Sequence, residues 1–204
     1  MDFKDLLRLH GYDPDARHEI GLLRHRPYEP DLARAMPWLL EERPELFEAY
    51  QSVPGSPERS LLKTRFVASF LGLAPGTAHF VGLYRIRGHR FIDFDTFWSI
   101  PENQELARYG YAGFTPEELK NGVKGRYQFD LELLPFYREW RGRLIISFPP
   151  PERAWFRRME RGSFPVKAIL EQSAFVAPPP DWCELVLSFD ELFRLPSSWR
   201  VKLS

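Results

Sequence analysis

The chain has 204 residues, with 28 Lys and Arg against 28 Asp and Glu, 19 Pro, 13 Gly and one Cys. A chain of this length removes about 70% of its unfolded surface from water on folding, so its core needs no covalent or metal staple. The lone Cys183 excludes an internal disulfide and a multi-cysteine zinc site, and a net charge of zero excludes a globally basic binder while leaving a local basic face open.

No run reaches the roughly 18 apolar residues of a membrane span, and the opening MDFKDLLRLH lacks the basic-then-apolar order of a secretory signal. The expectation is a soluble, cytoplasmic protein with no membrane partner. The 17 Phe, 8 Tyr and 6 Trp supply flat, rigid surfaces suited to a core or to stacking.

Along the chain, Asp2 can cap a short helix whose Phe3, Leu6 and Leu7 share a face, with Gly11 ending it. Pro30 suits a first helical turn, and Leu32, Met36, Leu39 and Leu40 recur at helical spacing, with Pro37 and Pro44 expected to break the run into short helices. Ser52 to Pro57 reads as a linker. His79 to Ile86 is β-branched and aromatic, and Gly82 in its middle predicts a bulge or a close backbone approach. Arg87 to Arg90 reads as a turn before a second apolar run at Phe91 to Phe94. Tyr127 to Leu133 alternates strictly and is expected to face inward through Tyr127, Phe129, Leu131 and Leu133, beside a buried strand at Arg143 to Phe148. Glu184 to Ser188 reads as a further strand, and short helical pieces are expected at Pro101 to Arg108, Pro116 to Lys120, Arg153 to Glu160 and Asp190 to Leu195. The order predicts an α+β chain: a helical head over residues 1–57, then a small, mostly antiparallel β-barrel with inserted helices over residues 58–204. Closing such a sheet protects its edges.

Catalytic patterns fail on spacing. Gly82-Leu83-Tyr84 and Tyr111-Ala112-Gly113 mimic the two halves of a GIY-YIG nuclease signature but stand too far apart for its hairpin. Asp93, Asp95, Glu118 and Lys120 imitate a magnesium nuclease set, yet Glu118 and Lys120 fall in a Pro-started helical piece. The histidines, His10, His18, His25, His79 and His89, form no i, i+4 metal pair. No Ser sits in a nucleophile elbow. No catalytic residue, metal or cofactor is therefore expected.

Arginines and aromatics remain. Read as a helix, Pro149 to Arg161 places Arg153, Arg157 and Arg161 on one face, with Arg158 beside them, as a phosphate-tracking surface; an amphipathic helix burying Trp155 is the alternative. Arg85, Arg87 and Arg90, with His89, concentrate charge at a strand end and turn. Phe97 and Trp98 beside Asp95 have the chemistry of a pocket that stacks a flat ring and accepts from an exocyclic amine, and Ser69 and Tyr84 are further candidates for its wall. Core packing is the competing role for each of these aromatics.

Met36-Pro37-Trp38-Leu39 with Glu42-Arg43-Pro44, Val67 to Gly72, Phe80 to Tyr84 and Pro149 to Trp155 together resemble the N-terminal region of bacterial GIY-YIG nuclease fusion proteins, from about Glu29 to Trp199. The strand order from Phe80 to Phe148 is similar to the PUA-like barrels, including EVE domains, that read modified bases. The resemblance implies a PUA-like fold and a bacterial restriction role. In the longer relatives the nuclease begins after the segment equivalent to Ser198-Trp199, so none of its catalytic residues carries over. The expected function is a non-catalytic DNA-binding module that reads a modified base and serves a nuclease subunit. A protein-interaction module with an aromatic docking surface is the alternative.

Overall fold

The structure, a computed structural model, describes residues 1–25, 30–46, 52–54, 63–72, 75–111, 113, 120–135, 138–148 and 156–171. The expected elements at Glu184 to Ser188 and Asp190 to Leu195, nearly all of that at Pro116 to Lys120, and Cys183, Arg153 and Trp155 lie outside the described residues. The chain divides into two compact units, each discontinuous in sequence: residues 1–26, 56–89 and 129–174 form the first, and residues 27–55, 90–128 and 175–204 the second.

In the first unit, helix α1 (Phe3–Leu9) begins with a capping box, in which Asp2 accepts from the Lys4 N–H at 2.9 Å and Asp5 accepts from the Asp2 N–H at 3.1 Å. Gly11, at φ 83°, follows its end. Strands β1 (Ile20–His25) and β3 (Phe66–Leu71) pair in parallel, and β3 pairs antiparallel with β4 (Thr77–Asp93). Further strands are β5 (Gly125–Leu133), β6 (Leu144–Ser147), β7 (Phe156–Arg158) and β8 (Val166–Ile169). The hydrogen-bonded order is β5-β4-β3-β1-β7, and β6 joins β4 to β8. No pairing links β7 to β8 among the described residues, so the sheet is open and mostly antiparallel, and the expected closed barrel is not formed.

Helix α1 plugs the core-side face. Phe3 lies edge-on to Phe70 at 5.3 Å and near Phe80 at 5.7 Å, and its N–H donates to the Phe164 carbonyl at 3.0 Å. Ile20 and Leu22 of β1, Phe66 and Ala68 of β3 and Leu144 and Ile146 of β6, each pair two residues apart, join that core with Ala78 and Leu83 of β4. At Gly82 the expected bulge is present, and what comes close is side chain and not another backbone. The β3-β4 register shifts beside it, after the Ser69–Gly82 pair, and a Cβ there would meet Leu133 Cδ1 at 2.8 Å and the Tyr84 ring at 3.1 Å.

In the second unit, helix α2 (Pro30–Glu42) buries Leu32, Ala35, Met36, Leu39 and Leu40, one stripe at i, i+3, i+4, i+7 and i+8. It runs through Pro37, contrary to the expected break. The missing proline N–H costs one backbone bond, and burial of the stripe on both sides of it outweighs that loss. Helices α3 (Phe94–Ser99) and α4 (Pro101–Ala107) follow the end of β4, and strand β2 (Ser52–Pro54), inside the expected linker, pairs antiparallel with the start of β5.

Four further expectations change. The first 57 residues include strand β1 as well as helices. Arg87 to Arg90 is not a turn, because β4 continues through Gly88 to Asp93. Phe156 to Arg158 is strand, paired with Leu23, Leu22 and Gly21, so Arg157 is not on a helix face. Strand β6 pairs with β4 and β8 instead of with β5. Among the described residues no helix is long and apolar enough to cross a membrane.

Candidate nucleic-acid interface

The zero net charge of the chain conceals a division. The first unit carries 18 Lys and Arg against 12 Asp and Glu, a net +6, and the second carries 10 against 16, a net −6. Charges that cancel in the sum over the chain are thus assigned unequally to the two units.

Within the first unit, Arg85 and Arg87 lie two apart on β4, hence on one side of the strand, with side chains 50% and 56% exposed. Both reach one carboxylate: Arg85 Nη1 is 3.4 Å from Glu132 Oε2, and Arg87 Nη2 is 3.3 Å from Glu132 Oε1. Two guanidiniums on one Glu leave an uncompensated positive charge in water. Arg85 is in register with Phe66, and Phe66 with Ile20. Arg65 lies over the Phe66 ring at 4.9 Å, and Tyr12 meets the same ring edge-on at 5.3 Å. Burial raises the Tyr12 pKa, while the charges of Arg85 and Arg65 act in the opposite direction.

Arg158 pairs with Gly21, one position from the Arg85–Phe66–Ile20 row, about 14 Å across three strand spacings. Its neighbour Arg157 pairs with Leu22 and so points to the opposite side of β7. Arg85 and Arg158 therefore share one end of the sheet but not one face. Arg158 Nη1 stands 3.9 Å from Glu160 Oε1. Arg90 belongs to the second unit, where its Nη2 donates to Gln128 Oε1 at 3.1 Å.

The candidate base-pocket residues fall into two groups. Ser69 and Tyr84, on β3 and β4 of the first unit, are both closed to solvent. Asp95, Phe97 and Trp98 lie on α3 of the second unit, and the sequence folds there because Asp93 caps the helix by accepting from the Thr96 N–H at 2.7 Å. Phe97 is buried, 5.0 Å from Trp98 at an interplanar angle of 90°, and a Cβ on Gly113 would meet both rings, at 2.6 Å and 2.9 Å. Gly113, at φ 71°, is held by Arg126 Nη1 donating to its carbonyl at 2.5 Å. Trp98 is half-buried and Asp95 exposed. Phe97 is a core ring, and Trp98 is the aromatic of this set with accessible surface.

Sequence reasoning passed over Arg17, Lys63 and Arg65, and weighed His18 only as a metal ligand. They are scattered through the chain, and only the parallel pairing of β1 with β3 gathers them. Comparison of the chain with family models, with curated proteins and with solved structures finds no match.

Proposed function

We propose that this chain is a non-catalytic DNA-binding module whose first unit supplies the contacts to the phosphate backbone. The observation that carries the reading is the net +6 of that unit, with Arg85 and Arg87 exposed and sharing a single carboxylate. Guanidiniums placed this way meet phosphate oxygens without stripping a buried ion pair. The finer reading is selection of a modified base, and it falls to Trp98 and Asp95, the α3 candidates with accessible surface. Delivery of a nuclease subunit to such DNA is the role the family resemblance implies.

The test is duplex binding followed by fluorescence anisotropy across a salt series. Replacing Arg85 and Arg87 together with Ala should weaken binding to every duplex alike and lower the salt slope by about 0.9, for the one phosphate contact that the pair makes while Glu132 holds the charge of the other guanidinium. An unchanged slope refutes the assignment. A protein-docking role is the second reading, favoured by Phe91 and Phe94 of the acidic second unit, which are 51% and 41% exposed.

A further inference from the structure

We propose that the end of the first unit around His18 is an oxyanion site that takes one phosphate group and holds it more tightly once His18 is protonated. The inference rests on the reading above for the source of that phosphate, a DNA backbone.

Three strands bring the site together. The His18 carbonyl accepts from the Arg65 N–H at 2.9 Å and the Glu19 carbonyl from the Phe66 N–H at 2.9 Å, which extends the β1-β3 pairing back past the strand start. That contact sets Arg17 and His18 beside the segment that carries Lys63, and the Gly21–Arg158 pair brings β7 alongside. Arg158, Arg17 and Lys63 are among the charges that act on the His18 ring, and Glu160 opposes them. Glu19 and Arg65, adjacent in the same contact, pair with each other at 3.4 Å.

Two features of His18 fit a site waiting for an anion. Its backbone is left-handed, at φ 65°, the one non-glycine residue so placed among those described. A non-glycine residue reaches this region only against steric cost. Its Nδ1 is buried and meets no hydrogen-bond donor or acceptor among the described residues. Desolvation, followed by Arg158 and Arg17, holds the His18 pKa below its usual value against the opposing pull of Glu160. Desolvation first, and then the neighbouring cations, therefore disfavour the imidazolium in the absence of an anion. An anion among Arg17, Lys63 and Arg158 screens these charges and makes the imidazolium favourable, so by linkage acid strengthens binding.

The experiment follows the His18 ring by NMR through a pH titration of the whole chain. Sulfate, whose charge is constant in this range, is the probe, and chloride at matched ionic strength is the control. Sulfate should raise the His18 midpoint by about one unit, equivalent to about tenfold tighter anion binding at acid pH. Lys63→Ala, at an exposed position, should abolish that rise, and Arg8→Ala, which removes a cation on α1, should leave it intact. An unchanged midpoint, or an equal loss in both variants, overturns the site. In the second arm, duplex affinity should fall about tenfold more between about pH 5 and about pH 8 in the wild-type chain than in His18→Gln. A sulfate-induced rise with no such difference keeps the site and refutes DNA as the source of its phosphate.

Discussion

Removing a single carboxylate should make this protein bind DNA better. Glu132 stands 3.4 Å from Arg85 and 3.3 Å from Arg87, and Glu132→Gln keeps the shape of the side chain while deleting the charge that the two arginines share. A phosphate docked on those guanidiniums sits about 5 Å from the lost charge, and unit charges at that distance in water interact by about 0.8 kcal/mol. Relief of that repulsion corresponds to a threefold to fivefold gain in affinity, about a factor of 4, at low salt. The freed guanidinium adds one phosphate contact, so the slope of log K against log salt should steepen by about 0.9. Because the arginine side chains are half exposed, breaking both ion pairs should cost the fold only about 0–1 kcal/mol. Fluorescence anisotropy with a labelled duplex between about 50 and 200 mM salt measures both quantities, and urea unfolding checks the fold. If Glu132→Gln leaves affinity and slope where they were, β4 does not face the DNA backbone and the first unit's charge serves another purpose.

Phe97→Ala should destabilise the chain by about 3–5 kcal/mol, since the ring is fully buried, as read by thermal unfolding. Trp98→Ala should leave a folded chain that binds duplexes generally but has lost any preference for a modified one, a difference of about 1–3 kcal/mol; a retained preference removes Trp98 from the base-reading role. Gly125→Ala should lower the urea midpoint, because its Cβ would stand 2.2 Å from the Ile92 carbonyl oxygen, and a backbone atom cannot yield as a side chain can; an overpacking cost of about 1–3 kcal/mol is expected, and wild-type stability would contradict the packing at the β4-β5 pair. Burial raises the Asp2 pKa, but the bonds it accepts from Ser163, the Lys4 N–H and the Phe164 N–H prevail and depress it. Its stabilising contribution is therefore present above the usual carboxylate pKa near 3.8 and is lost as pH falls through the lower folded value. Asp2→Asn should flatten acid unfolding in that window, and an unaltered acid limb would show that the carboxylate is not ionised in this cap.

Local chemistry was legible where one segment held all the information. The Asp2 cap, the α2 stripe and the exceptional packing at Gly82 follow from residues a few positions apart, and the structure has each of them. Two readings failed where local signals were overruled from outside. Gly88 between two basic residues reads as a turn, but β4 has hydrogen-bonding neighbours along its length and stays extended through it. Arg157 and Arg161 stand four apart, as on a helix, yet β1 offers Leu22 and Gly21 a free edge, and three residues of β7 take it. A segment that short cannot fix its own secondary structure.

For the candidate site the division is sharper. The sequence determined which arginines and aromatics exist, and the alternation of Arg85 with Arg87 determined that they share a side of their strand. The tertiary structure decided that Phe97 is core, that Arg85 and Arg158 occupy one end of a sheet on different faces, and that the backbone of His18 lies beside Arg65 with Arg158 on the strand next to β1. It also decided the net charge of each unit, because the units are assembled from discontinuous segments and a sum over the chain cancels charges that belong to different units. Coulomb interaction depends on distance in space and is screened beyond about 10 Å, so the order of charges along the chain cannot reveal which of them act together.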